Sequence, residues 1–201
     1  MKSVRNPIVA IAACFIAASS VGHAATVIRG FEDQSQGAFL NEYPEFTVST
    51  DTAGGTLFVY TWADFATEGT NFLVVTDPAS GGAATGNAIF TATAGNSLEG
   101  VSFNGMENAA DSVVATISLY NGATSLGSVN LLAPGVNTTP VQLDFTSYGT
   151  VTRFEVRNIT DAGGFAIDRI VVNTAAAVPE VSSWLSASLA GVLLLGRRKR
   201  R

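Results

Sequence analysis

The sequence predicts an all-β protein, an antiparallel β-sandwich of jelly-roll-like form, flanked by an N-terminal signal peptide and a C-terminal hydrophobic helix. Three observations carry this. Between Thr26 and Val172, short β-rich runs alternate with clusters of Gly, Asn, Asp and Thr. No segment in that stretch keeps a helical period with caps. The two ends are apolar and basic, whereas the middle is apolar and acidic. With 201 residues the chain can bury one sizeable core, and it divides into 1–24, 25–174 and 175–201.

At the N-terminus Lys2 and Arg5 precede an apolar run from Pro7 to about Ala18, followed by Ser19, Ser20, Val21, Gly22, His23 and Ala24. Charged, apolar, then small: that is the order of a secretory signal peptide. Gly22 and Ala24 suit the pocket of signal peptidase, which places cleavage after Ala24. A competing reading takes Ile11-Ala12-Ala13-Cys14 as a lipobox with Cys14 lipidated. The apolar run continuing through Phe15 and Ile16 favours the first.

Candidate strands follow at 26–29, 45–49, 57–62, 72–76, 88–93, 100–103, 113–119, 126–131, 141–145, 151–157 and 165–172. In 57–62, Phe58, Tyr60 and Trp62 share one face. In 113–119, Val113, Ala115, Ile117 and Leu119 share a face, with Val114, Thr116 and Ser118 opposite. Asn121-Gly122 lies between two runs and predicts a tight hairpin, because both residues tolerate positive φ. Asn104-Gly105 is a second hairpin candidate. In 151–157, Arg153, Glu155 and Arg157 form a solvent face opposite Phe154 and Val156; that face is either a charge-paired strand surface or a ligand clamp.

Between Ala25 and Val178 the cations are Arg29, Arg153, Arg157 and Arg169, set against fifteen carboxylates, a net charge of −11. Such a domain repels phosphate backbones, which excludes nucleic acid as a partner, and it favours cations such as Ca²⁺. The single Cys14 and single His23 both fall in the signal segment. The processed domain therefore lacks Cys/His metal sites, Ser-His-Asp triads, Cys nucleophiles and disulfides. Only a glycosidase-type carboxylate pair stays open to catalysis, and no ordered signature for one is present. The expectation is a non-enzymatic protein. Asn137-Thr138-Thr139 and Asn158-Ile159-Thr160 match glycosylation sequons and are taken as incidental.

After Ala175 to Ala177 the tail places Pro179 and Glu180 ahead of an apolar stretch from Val181 to Gly196. Those 16 residues would span roughly 24 Å as a transmembrane helix, short of a hydrocarbon core about 30 Å thick. The cluster Arg197, Arg198, Lys199, Arg200 and Arg201 holds that end in the cytoplasm and extends the reach of the helix by snorkelling. A plain membrane anchor is one reading. The order of motif, helix and basic cluster is more specific, and it resembles the PEP-CTERM sorting domain over residues 178–201. Val181 stands where the family motif has a second Pro.

That resemblance implies an exosortase substrate: a protein held briefly in the membrane, cut by an exosortase-type transpeptidase, and delivered to the cell surface or outside. The family's association with extracellular polysaccharide implies an exopolysaccharide or biofilm setting, and a structural or adhesive β-sandwich.

Three further segments resemble carbohydrate-binding-module-like jelly rolls: Gly30-Phe31-Glu32-Asp33, Ala66-Thr67-Glu68-Gly69 and Phe165-Ala166-Ile167-Asp168. In that fold the first and last strands lie side by side and are commonly pinned by structural Ca²⁺. The resemblance implies Glu32 and Asp168 as side-chain ligands, with carbonyls near Glu68 and Gly69 completing the shell. Arg169 stands where that family frequently has an acid or amide. The face of Phe58, Tyr60 and Trp62 is either a sugar-stacking platform, if exposed, or a core strand, if buried. A carbohydrate-binding module of the exopolysaccharide matrix is thus the alternative to a structural role.

Overall fold

Apolar residues at alternate positions give a strand one face to bury, and two sheets bury such faces against each other. The computed structural model describes residues 24–40, 43–106, 111–133, 140–161, 164 and 166–175. The signal segment with Cys14 and His23, the tail with Pro179, Glu180 and the basic cluster 197–201, and Phe165 lie outside the described residues. Ala24–Ala175 forms one compact unit. Among the described residues no helix is long and apolar enough to cross a membrane.

The chain is all-β. Its strands are β1 (Ala25–Arg29), β2 (Gly37–Ala38), β3 (Phe46–Ser49), β4 (Thr56–Thr61), β5 (Asn71–Thr76), β6 (Ala88–Ala92), β7 (Ser97–Asn104), β8 (Val113–Asn121), β9 (Thr124–Leu132), β10 (Val141–Asp144), β11 (Arg153–Arg157) and β12 (Ala166–Thr174). Seven strands form one antiparallel sheet in the order β10-β7-β12-β5-β4-β2, with β1 also paired to β12. The other five form a second, in the order β3-β6-β11-β8-β9. The two pack as a sandwich. The two-residue β2 escapes sequence reading because only its pairing with Val59 and Phe58 defines it. Single 3₁₀ turns at Pro78–Ser80 and Thr146–Tyr148 are likewise too short to carry a period.

The core between the sheets is built on phenylalanine. Phe90 and Phe154 stand opposite each other on β6 and β11, with rings stacked at 4.5 Å. Phe145 and Phe46 close around them at 5.3 and 6.0 Å. All four are fully buried. This density of aromatic burial stabilises a sandwich whose 25–174 stretch contains no cysteine.

The turn at Asn121-Gly122 forms as expected, with Asn121 paired to Thr124 and only Gly122 at positive φ, 57°. The expected hairpin at Asn104-Gly105 does not form. β7 belongs to the seven-stranded sheet and β8 to the five-stranded one. Gly105 (φ 77°) instead turns the chain off the sheet past the Phe65 ring, where a Cβ would lie 2.5 Å from Cδ1.

The Arg153–Arg157 face forms a charge-paired network. Glu155 is buried and bridges Arg153 (3.3 Å) and Arg157 (2.7 Å). Arg157 also reaches Asp51 at 2.8 Å, and Arg153 lies over the Tyr120 ring at 4.2 Å.

Near the middle of the seven-stranded sheet, β12 changes neighbours. Ile167 pairs with Leu73 of β5, whereas Ile170 pairs with Arg29 of β1. A bulge between Asp168 and Val171 accompanies the change, and Arg169 within it has φ 48°. Three surface hollows border this irregularity.

Candidate functional site

Two features share the outer face of the seven-stranded sheet. Leu73, Val75 and Ile167 point into the sandwich core, so their alternates Phe72, Val74 and Ala166 point outward, into a separate small apolar cluster.

The first feature is an acidic corner where three segments meet. The loop after β1 supplies Gly30 to Asp33, the β4–β5 loop supplies Thr67 to Thr70, and β12 supplies Asp168. Asp168 is fully buried. Its Oδ2 accepts from the backbone N–H groups of Thr67 (2.7 Å) and Glu68 (2.9 Å), and its Oδ1 from that of Arg169 (2.7 Å). Burial nevertheless dominates and pushes the Asp168 pKa up to about 6, against the pull of those three donors and with help from the negative Glu32 nearby.

Glu32 does related work on the next strand. Its Oε1 accepts from the N–H groups of Thr70 (2.8 Å) and Asn71 (2.6 Å), fastening the start of β5. Asn71 answers by donating to the carbonyls of Gln34 (2.9 Å) and Phe31 (3.3 Å).

Two glycines make the corner possible. Gly69 has φ 67°, and a Cβ there would overlap the Glu32 carboxylate. Gly69→Ala is therefore expected to cost about 1–2 kcal/mol from left-handed strain and the displaced carboxylate. Thermal melting would check this, and an unchanged midpoint would remove Glu32 from the account. Gly30 leaves a cradle: a Cβ there would lie 3.4 Å from both Asp168 Oδ1 and Glu68 Oε2. Beside it opens a hollow of about 240 Å³ reaching Asp33.

The donor set is all oxygen and anionic, which suits a hard cation such as Ca²⁺. Among the described residues no three Asp, Glu, His or Cys side chains form a ready-made metal site. Glu32 is turned to the backbone of Thr70 and Asn71. The Asp168 and Glu68 carboxylates border the cradle, and a cation there would draw its other ligands from carbonyl oxygens and water.

The second feature is an aromatic cleft of about 360 Å³. Tyr60 and Trp62 are exposed, at 42% and 58%, and Phe58 is half-buried, so this face looks out from the sandwich. The rings interlock: Phe58 with Tyr60 at 4.8 Å, Trp62 with Phe65 at 4.7 Å, and Tyr60 stacked on Phe72 at 6.2 Å. Gly164 lets the segment before β12 bridge to Ala84 and close one wall, since a Cβ there would strike the Ala84 carbonyl. Among the described residues no charged side chain lines the cleft.

Phe65, Phe72 and the glycine wall were not legible as site residues. Phe72 looks like any strand residue, and Phe65 reaches the cleft only through the fold of its loop.

No protein-family model matches the chain, and no curated protein matches it. Among solved structures, it resembles the K2 cleaved adhesin domain of Lys-gingipain at 14% identity and a TM-score of 0.46, over 74% of this chain and 97% of that one. The enzymatically active domain of tailspike protein 4 from bacteriophage CBA120 matches at 16% identity and a TM-score of 0.34. That match covers 66% of this chain and 20% of the tailspike chain. Likeness at these levels carries nothing about activity.

Proposed function

We propose that the protein is a non-catalytic carbohydrate-binding module on a jelly-roll sandwich, exported and sorted to the cell surface or extracellular matrix. The aromatic cleft carries this reading. Sugar rings present C–H faces that stack on aromatic side chains, and here Tyr60 and Trp62 stand exposed in a cleft of monosaccharide-to-disaccharide dimensions. A structural or adhesive role in an exopolysaccharide matrix is then exercised through that binding. Glycoside hydrolysis needs two carboxylates flanking the scissile bond, and among the described residues the cleft lining contains none.

Export and processing rest on the two ends of the sequence: signal peptidase at Ala24, and an exosortase acting at the Pro179-Glu180 tail. The mass of the protein recovered outside the cell tests this; a mass that includes residues 197–201 would leave a plain anchor. Structural Ca²⁺ at the acidic corner would tie the loop after β1 to β12 and support the neighbouring β4–β5 loop, which supplies Trp62 and Phe65 to the cleft.

Trp62→Ala is expected to weaken binding to a neutral polysaccharide by about 2 kcal/mol, roughly thirtyfold. Affinity electrophoresis through gels containing such polymers measures it. Unaltered retardation of the variant would remove the cleft as the binding site.

A further inference from the structure

The domain is poor in cations, and most of them are committed. Arg29 pairs with Glu45, Arg153 with Glu155 and the Tyr120 ring, and Arg157 with Glu155 and Asp51. Among the described residues Arg169 alone keeps a guanidinium with no ion pair or hydrogen bond. It is also the arginine held at an unfavourable backbone, φ 48° within the β12 bulge. A long side chain in the left-handed region is uncommon and costs about 1 kcal/mol. Bulges frequently serve to re-aim a side chain.

The Arg169 side chain lines a groove of about 290 Å³ with Glu99, Gln142, Asp144, Thr146 and Val171. Gly100 forms its floor, and a side chain there would strike the Leu143 carbonyl at 2.7 Å. Val141 and Leu143 pack toward the core, so Gln142 and Asp144 face outward on the same side of the sheet as the aromatic cleft. The two carboxylates are held in place. Glu99 Oε1 accepts from Asn173 (2.9 Å), and Asp144 Oδ1 accepts from the N–H (2.8 Å) and hydroxyl (2.7 Å) of Thr146. Among the described residues no hydrogen bond engages the second oxygen of either carboxylate.

Charge selects the ligand class. An anionic group brought to Arg169 meets Glu99 and Asp144, and a cationic group brought to the acids meets Arg169. A neutral polyol satisfies both, because each hydroxyl donates to a carboxylate while accepting from the guanidinium or the Gln142 amide.

We infer that this groove is a second saccharide subsite, in which Arg169, Gln142, Glu99 and Asp144 hydrogen-bond the neighbouring hydroxyls of a neutral sugar. The inference rests on the carbohydrate-binding reading and adds a polar subsite to its apolar one. It also accounts for an arginine at a position that backbone energetics would give to glycine.

Arg169→Gly separates function from folding. It removes the guanidinium and relieves the left-handed strain, so its melting midpoint is expected at or above that of the wild type. Affinity electrophoresis of the full chain, Arg169→Gly and Trp62→Ala would use gels of hydroxyethylcellulose, xyloglucan, galactomannan, laminarin and dextran, with alginate as the anionic control. Binding about tenfold weaker in Arg169→Gly, with an undiminished melt, is the expected result. Arg169→Asn, which also tolerates the left-handed backbone, should behave likewise. Wild-type retardation by Arg169→Gly alongside loss in Trp62→Ala would overturn the groove and leave the cleft standing. Loss in Arg169→Gly alone would keep the groove and remove the cleft. No retardation of the wild type by any neutral polymer would overturn both.

Discussion

Asp168→Ala is expected to lower stability by about 3 kcal/mol, measured as a fall in denaturant midpoint at constant m-value. The substitution orphans the N–H groups of Thr67, Glu68 and Arg169, which the carboxylate now satisfies at 2.7 to 2.9 Å in a fully buried position. Some of that loss is offset, because a buried carboxylate is itself costly. Asp168→Asn keeps one oxygen for Thr67 and Glu68 and should lose less than half as much.

The same group sets a pH dependence. Burial, opposed by its three backbone donors, raises its folded pKa to about 6, whereas an unfolded Asp titrates near ~3.9. Between about pH 4 and pH 6 the folded protein therefore holds a proton that the unfolded chain has released. The contribution is full below about pH 4 and is lost as pH rises through about 6. In chelator, the wild type should lose up to about 3 kcal/mol across that window relative to Asp168→Asn. A difference that grows in the opposite direction would contradict the buried charge.

Calcium is expected to have the next largest effect. At about a hundredfold excess over its Kd it should stabilise the protein by about 2.7 kcal/mol, a rise in Tm of roughly 5–10 °C for a domain of this size. The physical reason is the buried negative charge of Asp168, which shares the Gly30 cradle with Glu68. Mg²⁺ should do less, because it demands a tighter octahedral shell. Gly30→Ala gives a discriminating variant. Its methyl would rest 3.4 Å from both carboxylate oxygens, in ordinary contact, so the metal-free melt should hold while the calcium shift disappears. Equal midpoints in calcium and chelator would sink the proposal for the wild type.

The acidic corner shows how far residue patterns reach. Gly30–Asp33, Ala66–Gly69 and Asp168 were legible as related segments, and the fold does bring them to one corner. The division of labour within it was not legible. Glu32 serves the backbone of β5, while Glu68 and Asp168 face the cradle, a choice made by which N–H groups each carboxylate meets first. The groove at Arg169 left less trace still. Its floor needs Gly100 beside Leu143, its walls come from β7, β10 and β12, and its arginine is aimed by a bulge at the place where β12 exchanges β5 for β1.

By itself the sequence determined the strand alternation, the acidic charge of the 25–174 stretch, its lack of His and Cys, and the grouping of Phe58, Tyr60 and Trp62 on one side of the 57–62 run. Only the tertiary structure decided that this side faces out. A two-residue period separates the faces of a strand without saying which will be covered, because the cover comes from another sheet distant in sequence. Here Leu57 and Val59 join the core cluster, and the aromatic side of β4 is left open at the protein surface.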